Sequence, residues 1–195
     1  GIAGGENYFS ERAVAPMTPL GKEMVARNKP GHGPYAAKVY DGNDPLTTLG
    51  DPSGFPRMVN YEFRPTRIVM TPKAVLMLYS FNQTWRIIWT DGRKLPKEFE
   101  LPAYLGYSIG HWEGDTFVVE TAGFNDRTWL DFDGHPHTEA LRVTERYRRS
   151  DFGHLRIEIT FEDRKAYTRP WTASWTMQWV PDQEVPIHFC QDNRP

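Results

Sequence analysis

The 195-residue sequence has one cysteine, Cys190, which excludes an internal disulfide and a cysteine-based zinc cluster. It also has no excess of positive charge, because 23 lysine and arginine residues against 25 aspartate and glutamate residues give a net charge of −2. A nucleic-acid-binding protein needs a basic face, so we expect no nucleic-acid partner. The longest apolar runs, such as residues 74–78, have the length of a strand rather than of a membrane span, so we expect no membrane partner.

The sequence also lacks a glycine-rich phosphate-binding loop and any nucleotide signature, so we expect no cofactor. Aromatic residues, in contrast, are plentiful. They make up 14% of the chain and include seven tryptophans, whose large rings must be buried or must line a pocket. The length suits one domain with a full-sized core. The chain starts at Gly1 rather than at methionine, a start that a cleaved signal peptide or a trimmed chain would each give.

Residues 1–57 differ in composition from the rest of the chain. They are rich in glycine, proline, asparagine and aspartate, and we predict an N-terminal extension that wraps a β-barrel domain formed by residues 58–195. One short helix in the extension is predicted to start at Thr18-Pro19 and to end before Lys29. From residue 58 onward, short runs of β-type alternation predict strands near 58–63, 66–71, 74–81, 84–90, 106–112, 115–121, 138–148, 154–162, 170–180 and 185–190.

These runs predict an all-β fold, an antiparallel up-and-down barrel of about eight to ten strands. Alternation places Trp85 with Trp89, and Trp171 with Trp175, on single strand faces. We therefore expect an interior lined by indole rings, either as a packed core or as a cavity for one small ligand. If the strands alternate in direction, the long connections gather at one end and form the mouth: 91–105, 122–137 and 163–169.

The longest of these connections carries ionisable side chains on every second residue, namely Asp131, Asp133, His135, His137 and Glu139. In an extended backbone such residues point the same way. Imidazole titrates near neutrality, so His137 is predicted to act as a general acid or base, with Asp131 orienting it or acting beside it. One alternative is a metal held by His135, His137 and Asp131. Another is an exposed polar turn, since Asp-Gly and His-Pro are ordinary turn sequences.

Other residues near the predicted mouth complete the candidate site. Asp126 and Tyr107 would stabilise charge that develops on a substrate oxygen. The side chains expected to contact the substrate are Trp89, Trp129, Trp171, Tyr167 and Glu139. An alternative for the loop around Asp126 is packing alone, with Trp129 plugging the barrel.

Two further residues, Glu145 and Ser108, are candidates for a functional site. Glu145 falls on an apolar strand face, which predicts a buried acid or, as the favoured interpretation, a salt bridge with a cationic partner. Ser108 lies in a Gly-x-Ser-x-Gly pattern that is typical of hydrolases. That pattern requires a helix after the serine, whereas the following residues predict a hairpin, so we discount a serine nucleophile.

Several motifs resemble those of a family of uncharacterised secreted bacterial proteins of the acidobacterial type. They are Gly54-Phe-Pro-Arg57, Trp85-Arg86-x-x-Trp89-Thr-Asp-Gly92, Gly106-Tyr-Ser-x-Gly-x-Trp112-Glu-Gly-Asp115, Gly123-Phe-Asn-Asp126-x-Thr-Trp-Leu-Asp131 and His135-Pro-His137 through Glu145-Arg146. The resemblance covers most of residues 16–180 and implies a periplasmic or secreted protein, but no activity. In architecture the predicted barrel is similar to the calycins, which include lipocalins and a few barrel enzymes that cyclise, isomerise or eliminate small organic molecules.

Three functional hypotheses follow. The first is a lyase or isomerase that uses cofactor-independent acid–base chemistry on a small, partly hydrophobic organic molecule such as a phenolic or a glycoside. The second is a lipocalin-like binding protein for a small hydrophobic ligand. The third is a metal-dependent enzyme with histidine and carboxylate ligands. Exposed strand edges would in addition permit a homo-oligomer.

Overall fold

The computed structural model describes residues 13–38, 41–59, 65–80 and 83–186. Helix α1, Pro19–Asn28, begins as the sequence predicts, because the Thr18 side chain accepts a hydrogen bond from the backbone N–H of Gly21. It ends at Lys29, which adopts the left-handed conformation. A second short helix, α2, Pro45–Thr48, and a 3-10 helix, Arg57–Val59, were not predicted. None of the helices in the described residues is long and apolar enough to cross a membrane.

The rest of the fold is one curled sheet of eight strands that follow chain order from one edge to the other. They match eight of the predicted runs to within a few residues, which confirms the mostly-β class. The predicted strand near 58–63 begins instead in the 3-10 helix, and residues 60–63 lie outside the described residues; of 185–190, residues 185–186 are not in a strand and the remainder is not described. The strands are β1 Thr66–Met70, β2 Ala74–Tyr79, β3 Trp85–Trp89, β4 Tyr107–Glu113, β5 Thr116–Ala122, β6 Arg142–Arg149, β7 His154–Glu162 and β8 Trp171–Gln178.

The predicted all-antiparallel arrangement is wrong at one pairing, because β3 and β4 run parallel, with Ile88 opposite Ser108. Parallel neighbours need a crossover of about a dozen residues or more, and the long connection 90–106 supplies one. Every other neighbouring pair is antiparallel. Within the described residues β1 and β8 do not pair, so the sheet is a curled half-barrel and a closed lipocalin-like barrel is not confirmed.

The parallel pair also changes which connections share an end of the sheet. The connections 123–141 and 163–170 lie at one end, as predicted, whereas 90–106 starts at the opposite end and crosses to theirs. The expectation that all three long connections leave from one mouth was therefore wrong. The short turn 80–84 shares the end of the long connections instead of lying with the turns at 114–115 and 150–153.

The inner face of the curled sheet is filled with side chains. The predicted alternation holds for β7 and β8, where Ile159, Phe161 and Trp171 are buried. In β3, Trp85 and Trp89 share a face as predicted, but it is the outer face: Trp85 is 62% exposed, and Arg86 points inward. Residues before β1 complete the same core, among them Ala15, Met17, Val25, Phe55 and Met58.

One small void is found in this interior, between the inner faces of β1, β2 and β8. It has a volume of about 20 Å³ and is bordered by Ile68, Met77 and Trp175. That is room for one water molecule at most. Of the two alternatives for the indole-lined interior, the small size of this void favours the packed core over the ligand cavity in the part of the chain that the structure describes.

Candidate functional site

The turn at residues 131–135 is held together by the carboxylate of Asp131, which is fully buried. One oxygen accepts hydrogen bonds from the backbone N–H groups of Asp133 at 3.0 Å and His135 at 3.2 Å. The other oxygen lies 2.6 Å from Nδ1 of His135. Gly134 permits this turn because its φ is +79°, a value that side-chain-bearing residues rarely adopt. Both oxygens of Asp131 are therefore engaged inside the loop.

The last residue of helix α1 and the residues that follow it cover this turn from outside. The side-chain amide of Asn28 donates to the backbone carbonyl of Gly134 at 2.7 Å. A Cβ atom at Gly134 would lie 3.0 Å from Pro30, so the two segments are in close contact. The ring of Tyr35 meets the His135 ring edge-on at 5.8 Å. The Asp131–His135 pair, predicted to face an open mouth, is thus covered by the N-terminal residues.

His137 occupies a separate place from the Asp131–His135 pair. It is 1% exposed, and its Nε2 lies 2.9 Å from the hydroxyl of Thr128. Its Nδ1 lies 3.4 Å from the carbonyl of Thr138. Because a carbonyl only accepts, this contact places the ring proton on Nδ1 and leaves Nε2 to accept from Thr128. Burial lowers the pKa of His137 despite the opposing influence of Asp163, so the imidazole is neutral near pH 7.

The structure therefore pairs Asp131 with His135 and not with His137. The strict alternation needed for all five side chains fails at Gly134 and at the following proline. Ligand atoms of Asp131, Asp133 and His135 do lie within 4.8 Å of one another, whereas the predicted metal set had His137 in place of Asp133. The metal set and the catalytic roles of Asp131 and His137 remain predictions.

The aromatic residues expected to contact a substrate near this loop are packed beneath it. Trp129, Tyr167 and Trp171 are between 1% and 4% exposed. The hydroxyl of Tyr167 donates to the carbonyl of Pro136 at 2.8 Å, and its pKa is raised well above the ordinary value by burial. The ring of Trp171 lies 4.2 Å from that of Phe161. Contacts of this kind contribute about 0.5–1.5 kcal/mol each beyond area burial, so these rings stabilise the loop end of the core.

Asp163 is a residue of this region that the sequence analysis missed. It is 2% exposed, and its carboxylate accepts from the backbone N–H of Thr138 at 2.6 Å and from the Thr138 hydroxyl at 3.1 Å. It also caps its own turn through the N–H groups of Lys165 and Ala166. An aspartate that begins a short polar connection is a known turn signal and would have marked it. Asp163 thus ties the connection 163–170 to the end of the loop that carries His137.

The remaining predicted site residues lie at the surface. Asp126 and Glu139 are exposed. Tyr107 and Trp89 lie on the outer face, where the guanidinium of Arg93 stacks over the Trp89 ring at 3.8 Å and donates to the Tyr107 hydroxyl at 2.8 Å.

Asp91 holds Arg93 in place through two hydrogen bonds, at 2.8 Å and 2.6 Å. The bonds from Arg93 lower the pKa of Asp91 to about 2. The sequence Asp91-Gly-Arg93, directly after a predicted strand, is typical of a turn and would have indicated this cluster.

An open groove of about 370 Å³ lies beside Tyr107. Most of its wall comes from the crossover 90–106, and Phe99 packs so closely against Gly123 that a Cβ there would lie 2.4 Å from the ring. Backbone bonds join the crossover to the start of the loop 123–141, from Ala103 N–H to Gly123 at 2.9 Å and from Asn125 N–H to Ala103 at 3.0 Å. The lining residues are Pro96, Glu98, Phe99, Glu100, Leu101, Ala103, Gly106, Tyr107 and Gly123.

Glu145 forms the buried salt bridge that the sequence analysis favoured, and its partner is Arg86. The guanidinium donates to both carboxylate oxygens, at 3.0 Å and 2.5 Å, and both residues are at most 3% exposed. Arg86 also donates to Ser108 at 3.0 Å and to Thr121 at 2.6 Å. Ser108 is therefore part of a structural network in a strand, in agreement with the discounted nucleophile.

Comparison of the chain with protein-family models, with curated proteins and with solved structures finds no significant match. The motif resemblance to secreted bacterial proteins, and the periplasmic or secreted location that it implies, therefore remain predictions.

Proposed function

We propose that the protein binds a small organic molecule in the groove beside Tyr107, on the outside of the curled sheet. The observation that carries this proposal is the contrast between two spaces. The groove measures about 370 Å³, within the usual size range of small-ligand sites, whereas the interior void measures about 20 Å³. The proposal keeps the hypothesis of a lipocalin-like binding protein but moves the ligand from a barrel interior to the outer surface.

The groove lining indicates the chemistry of the ligand. Glu98 and Glu100 offer carboxylate oxygens, which accept hydrogen bonds from hydroxyl groups. The rings of Phe99 and Tyr107 offer apolar faces on which a flat ring stacks. None of the described lining residues is basic, which disfavours an anionic ligand. A neutral aromatic molecule with several hydroxyl groups, such as a phenolic or its glycoside, fits this combination.

A thermal-shift screen with neutral phenolics and aromatic glycosides tests the proposal. A ligand that binds the folded state raises the melting temperature by an amount that grows with the logarithm of the ligand concentration relative to Kd. The stabilising compounds should lose their effect in the double variant Glu98→Gln/Glu100→Gln and keep it in Glu139→Gln, an exposed acid outside the groove lining. If the compounds still stabilise the double variant, they do not bind in the groove.

As a second proposal, the same molecule would be a substrate for a lyase or isomerase reaction that uses His137 as the base. The observation in its favour is the neutral imidazole of His137, whose Nε2 lies 2.9 Å from the Thr128 hydroxyl. Because His137 is 1% exposed, this chemistry requires the loop 123–141 to open. Mass spectrometry and chromatography of the ligand after incubation decide between the two: an unchanged ligand supports binding alone. A converted ligand, with conversion lost in His137→Gln, supports the enzyme.

The metal-dependent alternative is tested separately by elemental analysis of the dialysed protein. Stoichiometric metal that is lost in Asp133→Asn would support ligation by the group Asp131, Asp133 and His135. Substoichiometric metal in the wild-type protein would count against it.

A further inference from the structure

The outer face of the curled sheet has two halves of opposite character. On β5 to β8 it is polar, with Glu120, Thr144, Thr160 and Thr172 opposite one another in a single row. On β1 to β4 it carries a set of apolar side chains, which we call the apolar face: Val69, Leu76, Leu78, Trp85, Ile87, Trp89 and Ile109. A soluble monomer would be expected to keep polar residues on both halves.

Strand register makes the apolar face continuous. Leu76 lies opposite both Val69 and Ile87, Leu78 lies opposite Trp85, and Trp89 lies opposite Ile109. Four of the seven side chains are well exposed: Trp85 by 62%, Ile87 by 38%, and Val69 and Leu78 by 37% each. The exposed apolar area is on the order of 500 Å², a size typical of an interaction site.

We propose that the apolar face binds the same face of a second copy of this chain. Its flanks are charged in a self-complementary way. Arg67 of β1 borders it beside Leu78, and Glu120 of β5 borders it beside Ile109. Both side chains are exposed, and neither forms a hydrogen bond or ion pair with any described residue. A two-fold axis between the faces brings Arg67 of each copy toward Glu120 of the other, so each contact occurs twice.

The area of the apolar face places this association in a size class. Two copies that cover it would bury on the order of 1,000 Å² in total, which is at the lower limit for a specific interface. Interfaces of this size are typically weak or transient, so we expect a dimer that forms reversibly as the protein concentration rises. This inference does not depend on the ligand proposed for the groove.

Sedimentation velocity on the full chain, from low to high micromolar concentration, tests the dimer. The wild-type protein should shift from the monomer mass toward twice that mass. Trp85→Glu places a charge at the most exposed side chain of the apolar face and should weaken the association by roughly tenfold or more. Trp179→Glu is the matched control, because Trp179 is 60% exposed but lies outside the apolar face, and it should dimerise like the wild type.

The charged flanks allow a more specific test. Arg67→Glu and Glu120→Arg should each weaken the dimer, and the double variant should restore it, because the pair is then reversed rather than broken. Circular dichroism confirms that each variant is folded. A wild-type protein that stays monomeric at high concentration, or a dimer that Trp85→Glu leaves intact, would overturn the proposal. A dimer that tolerates Trp179→Glu but is not restored in the double variant would refute the two-fold arrangement.

Discussion

The buried pair of Arg86 and Glu145 gives the sharpest prediction about stability. Glu145→Gln keeps the shape of the side chain and one acceptor oxygen but removes the negative charge. The guanidinium of Arg86 then remains in the core without an anionic partner, beside the hydroxyls of Ser108 and Thr121 and the ring face of Phe55, which lies 4.0 Å away. Breaking a buried ion pair by removing one partner typically costs about 3–5 kcal/mol. We expect that loss for Glu145→Gln, and a similar loss for Arg86→Met.

The double variant Arg86→Met/Glu145→Leu should behave differently from either single variant. Replacing both partners by apolar side chains removes the unpaired charge, and Ser108 and Thr121 can still bond to each other across 3.0 Å. The remaining cost comes mainly from the buried hydroxyl of Tyr147, which donates to Glu145 and loses that acceptor, and is about 1–3 kcal/mol. The double variant should therefore be at least as stable as either single variant, and its loss should fall short of the sum of the two single losses by at least about 3 kcal/mol.

Urea unfolding, followed by tryptophan fluorescence and by circular dichroism, measures these differences. Arg156→Met is the control, since Arg156 is exposed on the outer face of β7, and it should change the free energy of unfolding by less than about 0.5 kcal/mol. If the free energy of unfolding of either single variant stays within about 1 kcal/mol of the wild-type value, Arg86 and Glu145 do not form a buried ion pair. A double variant whose loss equals the sum of the two single losses would contradict the coupling between them.

Three further predictions concern the pH dependence of stability, the turn held by Asp131 and the ionisation of two buried tyrosines. The folded state holds His137 neutral, whereas the unfolded state protonates it near pH 6.5. The free energy of unfolding should therefore fall as the pH drops below about 6.5, by at most about 1.4 kcal/mol per pH unit. In His137→Gln, urea unfolding at pH 7 and at pH 5 should no longer show this contribution to the loss of stability. Asp131→Asn removes a carboxylate acceptor from the turn and should cost about 1–3 kcal/mol in the same assay, against no measurable loss for exposed Asp126→Asn. Burial raises the pKa of Tyr79 to about 12 and that of Tyr147 well above its ordinary value, so ultraviolet titration should leave both un-ionised at pH 11; full ionisation of all tyrosines below that pH, with the fold intact, would contradict their burial.

Sequence patterns identified the strands but not all of their faces. Alternation is reliable in β7 and β8, whose antiparallel neighbours leave one face buried and one exposed, so apolar residues such as Ile159 and Trp171 mark the inside. In β3 the residues also alternate, but the apolar residues mark the outside, because Arg86 points inward to pair with a carboxylate far away in sequence and Trp85 and Trp89 point outward. No local pattern reports such a long-range ionic partner.

The parallel pairing of β3 with β4 was equally hidden. The composition of the connection 90–106 is that of a loop, and it does not show whether the chain returns to the same end of the sheet or crosses to the other end. The loop that carries His137 was found from its composition, but its geometry depends on Gly134 and on contacts from Asn28 and Pro30, about a hundred residues earlier. Spacing alone therefore identified the residues of the loop without their partners.

Nuclear magnetic resonance of the tryptophan indole N–H groups tests most directly where the ligand binds. Trp89 lies under Arg93, which bonds to Tyr107 in the groove, whereas Trp129 and Trp171 are buried in the core. Adding the most stabilising phenolic or glycoside should shift the Trp89 signal and leave those of Trp129 and Trp171 in place. Shifts confined to Trp129 and Trp171 would contradict binding in the groove and would indicate that the ligand binds in the interior.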